Sequence, residues 1–272
     1  MKSGFLLHAS LVLSLATPLF FIAAALGVKI GLWGWHFGLG TLIVEWGPRL
    51  LGAALVLAVT ALIALLLRRP RRGLPLALIA LLIPATGLGY LYQVRERSKT
   101  LPPIHDVSTN VEDPPVHSPS VAQARAATGA NPVHPLTARL SSIEAYQTPR
   151  FAEQEHRTVG ELGRRAYPRL RPLIVAAGRE RLFAVLVQEA NERGWTILTN
   201  DPAAGQLEAV AETFWFGFRD DVVIRVRPAP GSRRLVIDAR STSRVGLGDL
   251  GANATRLTDY LQAVEEELRS HE

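Results

Sequence analysis

The 272-residue chain has no cysteine. That single absence excludes disulfides, thiolate metal sites and cysteine nucleophiles. Acidic residues are almost missing from the first third, where only Glu45 and Glu96 precede residue 100. No serine sits in a Gly-x-Ser-x-Gly setting, and no His-Glu-x-x-His occurs. The Gly-Lys-Ser/Thr ending of a phosphate-binding loop is also lacking. No internal repeat is evident.

The formal net charge of +6 invites a nucleic-acid reading, but its distribution argues otherwise. Residues 1–99 hold 10 Lys and Arg against 2 acids, whereas the rest holds 20 against 22. A nucleic-acid binder needs its basic excess on the folded domain. Here the excess flanks apolar runs, so no nucleic-acid partner is expected.

Those runs are 5–26, 42–67 and 74–92. A helix of roughly 20 apolar residues crosses the hydrocarbon core. Three such runs together point to a membrane region, residues 1–99, with the lipid bilayer as partner. The first run outlasts the usual apolar core of a cleaved signal peptide, about 7–15 residues, and is expected to be retained. Arg68-Arg69-Pro70-Arg71-Arg72 lies between the second and third runs. A compact basic loop favours the cytoplasm. The expected topology is multi-pass, with everything after Tyr92 on the extracytoplasmic side. Trp33, Trp35, Trp46, Tyr90 and Tyr92 fit span ends.

Residues 100–272 read as one soluble domain. Thr100–Pro119, with five prolines, reads as an extended strap. Short helices are expected within Ser120–Leu140 and near Phe151–Ala166. Leu173–Ala176 reads as a strand. Arg179–Arg193 reads as a helix, with Leu182, Phe183, Leu186 and Ala190 at helical spacing and Gly194 as its cap. Trp195–Leu198 and Leu207–Phe214 follow as strands around a turn at Asn200–Gly205. Val222, Ile224 and Val226 alternate with Val223, Arg225 and Arg227, the pattern of a half-buried strand. Pro228–Gly231 turns the chain into Leu235–Arg240, making an antiparallel hairpin in which Asp238 faces Arg225 or Arg227. A last helix covers about Ala252–Leu268, with Asp249 as N-cap. The order β-α-β-β-β-β-α predicts an α+β domain, an antiparallel sheet of about five strands with helices on one face.

Ile104-His105-Asp106-x-Ser108-Thr109 and Asp113-Pro114-Pro115 resemble the opening of the domain-of-unknown-function family numbered fourteen-ninety-nine. Tyr167-Pro168, Gly194-Trp195 and Phe216-Gly217-Phe218-x-Asp220-Asp221 match it too. So do Arg240-Ser241-x-Ser243-Arg244-x-Gly246 and Asp249-Leu250-Gly251-x-Asn253-x-x-Arg256. Arg169 stands where the family usually has an acidic residue. The family is bacterial and plastid, and members often carry N-terminal membrane helices; the resemblance implies a bacterial inner membrane here, with the C-terminal domain periplasmic. The resemblance implies no agreed activity and no cofactor.

Three groups carry chemistry worth weighing. His105, Asp106, Asp113 and His117 offer imidazole and carboxylate, but their spacing matches no metal motif, so no metal is expected. Phe214-Trp215-Phe216-Gly217-Phe218, followed by Arg219, Asp220 and Asp221, reads as a core-packed bulge, an apolar pocket with a charged rim, or a segment dipping into the bilayer interface. Arg240, Ser243 and Arg244 lead through glycines to Asp249, Asn253 and Arg256. A glycine-rich turn before a helix N-terminus can hold an anion, and arginines add bidentate contacts. Capping by Asp249 explains the same residues without a ligand. The expected function is a non-enzymatic, membrane-anchored envelope protein binding an anionic lipid or a partner protein. The alternative is a hydrolase using His105 and Asp106 with Arg244, Asp249 and Arg256. Convergence of those residues in one concavity would favour the enzyme. Dispersal as caps and ion pairs would favour binding or structure.

Overall fold

The computed structural model describes residues 3–67 and 73–270. Arg68–Arg72, on which the orientation argument rests, and Lys2 lie outside them. The chain divides into two compact units. One comprises Met1–Lys99 with Phe214–Gly217, the other Thr100–Thr213 with Phe218–Glu272.

In the first unit, three helices are long and apolar enough to cross a membrane. They are α1 (Ser3–Lys29), α2 (Gly47–Leu66) and α3 (Leu74–Thr100). Sequence pattern starts the second span at residue 42, but the helical path begins at His36. Residues His36–Trp46 form a π-helical stretch continuous with α2, and Gly47 N–H reaches back five residues to Leu42 O. Pro48, which has no N–H to donate, lies where the π-helical stretch passes into α2. Glu45 and Arg49 pair at 3.0 Å, which lets both charges enter a helix. Small residues make the close contacts. Ser10, Ser14 and Thr17 of α1 are buried, as are Ala54, Ala58 and Ala61 of α2 and Ala77 and Ala80 of α3. Such residues let helix backbones approach in lipid. Ser14 Oγ donates to Ala80 O at 2.7 Å, satisfying a hydroxyl that hydrocarbon would leave unpaired. Bulky side chains such as Val12, Leu19 and Leu82 point outward, as a lipid-facing surface requires.

The second unit is a six-stranded, wholly antiparallel sheet in the order β1-β6-β5-β4-β3. Its strands are β1 (Asp106–Ser108), β2 (Leu173–Val175), β3 (Thr196–Asp201), β4 (Gln206–Glu212), β5 (Arg219–Pro228) and β6 (Leu235–Ser243). Strands β1 and β2 share one edge of β6, β1 opposite Arg240–Thr242 and β2 opposite Leu235–Ile237. The fold is therefore α+β, as the pattern predicts, with one strand more. The extra strand, β1, lies inside the proline-rich strap. Three residues are too few for a legible alternation.

Helices α6 (Arg179–Glu192) and α7 (Ala252–Ser270) pack on one face of the sheet. Leu182, Leu186, Leu257, Tyr260 and Val264 meet Leu207, Val222, Ile224, Ile237 and Ala239 there, all buried. Trp195 stacks on Tyr260 at 4.8 Å, and Tyr260 Oη donates to Leu186 O at 2.7 Å, so the deepest hydroxyl is paired. The 3.6-residue stripe of both helices matches the two-residue period of β4 to β6, and that match fixes this face.

The opposite face departs from expectation. The alternation predicts a half-buried β5, yet Asp221, Val223 and Glu208 are almost fully buried. Residues 100–135 of the strap cover them. The strap contains α4 (Pro119–Ala127), capped by Ser118, whose Oγ accepts from Val121 N–H. A second short helix, α5 (Val159–Ala166), carries a full capping box between Thr158 and Glu161. The sheet is thus covered twice, by apolar helices on one side and by a polar strap on the other.

Candidate functional site

The covered polar face holds a ladder of charges. Pleating sends Arg240 and Thr242 of β6, and Arg244 just past its end, to the strap side and Ser241 and Ser243 to the helix side. In the strap, Asp106 receives Arg240 through two bonds, Nε to Oδ1 at 2.9 Å and Nη2 to Oδ2 at 2.6 Å. Thr242 Oγ1 adds a third at 3.0 Å. Both Asp106 and Arg240 are buried. Asp221, fully buried on β5, is gripped from two sides. Arg244 reaches it bidentately at 2.9 and 2.7 Å. Arg125 of α4 pairs with it through Nη1 and also donates to Asn131 O and Ser243 O. Toward the other end, Asp238 takes Arg225 at 2.9 Å and Arg227 at 2.8 Å, so the predicted pairing involves both arginines. Arg225 also clasps Asp113 of the strap. Further along β4, Glu208 accepts from Ser118 N–H at 2.7 Å and Thr199 Oγ1 at 3.1 Å. His117 Nδ1 stands 3.7 Å from its Oε1. Burial alone would raise the Glu208 pKa; its neighbours outweigh that and hold it down to about 2.

On the helix side, Asp220 pairs with Arg256 of α7 at 2.6 Å. Arg256 also donates to Ser241 Oγ and to Asn253 Oδ1. Asn253, fully buried, returns Nδ2 to Ser243 Oγ at 2.8 Å and to His105 O at 3.2 Å. Adjacent carboxylates Asp220 and Asp221 therefore anchor arginines on opposite faces of one strand.

Asp249 caps α7 as expected. Its carboxylate accepts from Gly251 N–H at 2.9 Å and Asn253 N–H at 2.7 Å. Burial nonetheless pushes its pKa up, against the pull of those two donors. Leu250 has φ of 54°, a left-handed conformation uncommon for a bulky residue. The turn around it seats the chain's own entry segment. A Cβ on Gly248 would meet Pro103 Cα at 2.8 Å, and one on Gly251 would meet Tyr167 Oη at 3.3 Å and Leu101 Cδ1 at 3.6 Å. Asp249 N–H donates to Ile104 O at 3.3 Å.

The sequence-derived candidates thus fall into separate places. Asp106, Arg240 and Arg244 lie on the strap side; Asp220, Asn253, Arg256 and Ser243 lie on the helix side. Asp249 is at the helix start. His105 is buried between, its pKa lowered mainly by burial and partly restored by Asp106. Arg219 pairs with Glu212 at 3.1 Å on the surface. Trp215 is 50 % exposed and sits edge-on to Phe214 at 5.1 Å. The pocket beside Asp106, lined by Ser108, Thr109, Val111, Gly160 and Tyr167, encloses about 20 Å³, room for roughly one water. Among the described residues no group of three or more His, Cys, Asp or Glu could hold a metal ion.

Sequence reasoning missed Arg125, Asn131 and Glu208. Arg125 lies in an Ala-rich polar stretch, but Val121 and Arg125, four apart, form the buried stripe of α4. Glu208 alternates with Leu207 and Ala209 and so reads as solvent-facing. Only the strap's path over that face hides it.

The chain thus joins three apolar helices to an α+β domain with one apolar and one charged sheet face. A protein-family model described as Protein of unknown function (DUF1499) matches residues 106–264. That is more than half of the chain, and the protein belongs to this family. No curated protein matches it.

Proposed function

We propose that this is a membrane-anchored envelope protein whose α+β domain lies outside the cytoplasm and binds an envelope component, either an anionic lipid or a partner protein. The supporting observation is the union of three bilayer-length helices with a domain whose buried charges are taken up in ion pairs and caps. Arg244, Arg256, Asp220, Asp221 and Asp249 each hold a protein partner, so they serve as a scaffold that fixes the surface loops. A hydrolytic set of His105, Asp106, Arg244, Asp249 and Arg256 would need groups that face opposite sides of the sheet. The strap and its exposed neighbours are the better candidates for recognition.

The experiment is sedimentation of residues 100–272 with vesicles of phosphatidylcholine alone or with added phosphatidylglycerol, beside in-membrane cross-linking of the full chain. Anion-dependent sedimentation supports the lipid arm, and a specific cross-linked protein supports the other. Neither result would refute the binding reading. Arg244→Ala with Arg256→Ala assigns the anion: lost sedimentation with an unchanged melting temperature would return the site to that turn.

A further inference from the structure

The segment from α5 into β2 reads Arg164-Arg165-Ala166-Tyr167-Pro168-Arg169-Leu170-Arg171, four arginines without an acid. All four are exposed. Arg164 has a partner, Glu112, but both are well exposed, and such a pair holds weakly. Arg171 Nε donates to Pro168 O, which leaves its charge uncompensated. The run belongs to the place where the chain enters the domain. Tyr167 and Leu101 both come within 4 Å of the same point above Gly251.

Connectivity then limits the distance of this run from the bilayer. Helix α3 continues past its apolar part to Thr100. The polar residues 93–100 add about 12 Å at 1.5 Å per residue. Head groups occupy roughly 5–8 Å of that on each side of the hydrocarbon core. The remainder is shorter than an arginine side chain plus a Debye length of about 8 Å at physiological salt. Arg95, Arg97 and Lys99 lie on the same helical end, with Glu96 among them.

We propose that Arg165, Arg169 and Arg171, with Arg164, form a docking surface for the anionic head groups of the leaflet in which α3 is anchored. This rests on the lipid arm of the functional reading and puts its site on the α5–β2 segment. The chemistry is that of guanidinium on phosphate, and a run of exposed charge spread over eight residues suits a surface rather than one bound molecule. Each basic side chain near an anionic leaflet favours the bound state by about fivefold, so three give roughly a hundredfold at low salt.

The test uses the full chain in nanodiscs. The protein lacks cysteine, so Ala176→Cys, exposed five residues beyond Arg171, takes a single fluorophore. Quenching by a head-group nitroxide lipid reports approach to the surface. Discs of phosphatidylcholine with phosphatidylglycerol should quench more than neutral discs, and 0.5 M salt should remove the difference. Arg165→Gln with Arg169→Gln and Arg171→Gln should abolish it at an unchanged melting temperature, and the triple lysine variant should keep most of it. Anion-dependent quenching that survives the triple glutamine variant would overturn this site and leave the lipid reading standing. Equal quenching in both discs by the unaltered chain would overturn both.

Discussion

Glu208 provides a sharp test of the covered polar face. It is 1 % exposed, and burial by itself favours a neutral carboxyl. Two short bonds, from Ser118 N–H and Thr199 Oγ1, and the nearby His117 ring reverse that preference. The folded pKa falls from 4.5 to about 2. At 1.36 kcal/mol per unit, the ionised form contributes about 3 kcal/mol to folding at neutral pH. The His117 ring is the largest single cause of the lowering, and the bonds from Ser118 and Thr199 add to it. Charge-assisted bonds exceed neutral ones by about 1 kcal/mol each, which gives about 2 kcal/mol by an independent route.

The sign follows from the lowered pKa. The contribution is fully present above pH 4.5 and is lost as pH falls toward 2. Glu208→Gln keeps the shape and removes the charge, so it should cost about 2–3 kcal/mol at pH 7. The gap between the two proteins should then close between pH 4.5 and 2. Urea unfolding of residues 100–272, followed by the fluorescence of buried Trp195, measures both curves. A variant more stable than the parent at pH 7 would show that burial dominates and would refute the reasoning. So would a gap that does not change with pH.

Asp221→Asn should be the most damaging of the conservative changes, at about 3–5 kcal/mol in the same assay, because Arg125 is buried and would lose its carboxylate. Asp249→Asn should stay within about 0.5 kcal/mol at pH 7, since asparagine caps well, whereas Asp249→Ala should cost about 1. The raised pKa of Asp249 means that its charge works against folding as pH rises, so stability relative to the asparagine variant should improve as pH falls through the raised folded value and level off below about 3.8. Reporter fusions after residue 100 should behave as exported; an active cytoplasmic-only reporter there would reverse the orientation and the compartment.

Helices α6 and α7 and the β5–β6 hairpin were legible because a strong period coincides with burial on one side. Leu182, Leu186, Leu257 and Leu261 recur at helical spacing, and Val222, Ile224 and Val226 alternate. The second covering of the sheet was not legible. A strap carries no period, and a charged residue beneath it looks like a surface residue. Arg225 and Glu208 follow the same alternation whether water or the strap lies above them. Asp106, Arg240, Arg244 and Arg256 were picked out by type, but type alone does not pair them. Partner choice depends on register, Asp221 opposite Thr242 and Asp220 opposite Ser243, which only the ladder fixes.

The glycine-rich turn shows the same ambiguity at one site. Gly246, Gly248 and Gly251 before a helix look like an anion cradle, yet the N–H groups of Gly251 and Asn253 are held by Asp249. The close approach that glycine permits is used by Pro103, not by a ligand. Gly248→Ala would place a Cβ 2.8 Å from Pro103 Cα, a backbone atom that cannot turn aside. Displacing the strap there disturbs Ile104, which is fully buried, and overpacking of this kind costs about 1–3 kcal/mol. If seating the strap is the reason for the glycine, the cost must depend on the strap. Residues 106–272, lacking Pro103 and Ile104, should be less stable from the start, and Gly248→Ala should then cost little more. The coupling between the two changes should approach the full cost of the substitution. An equal penalty with and without residues 100–105 would mean that Gly248 answers to something other than the entering chain.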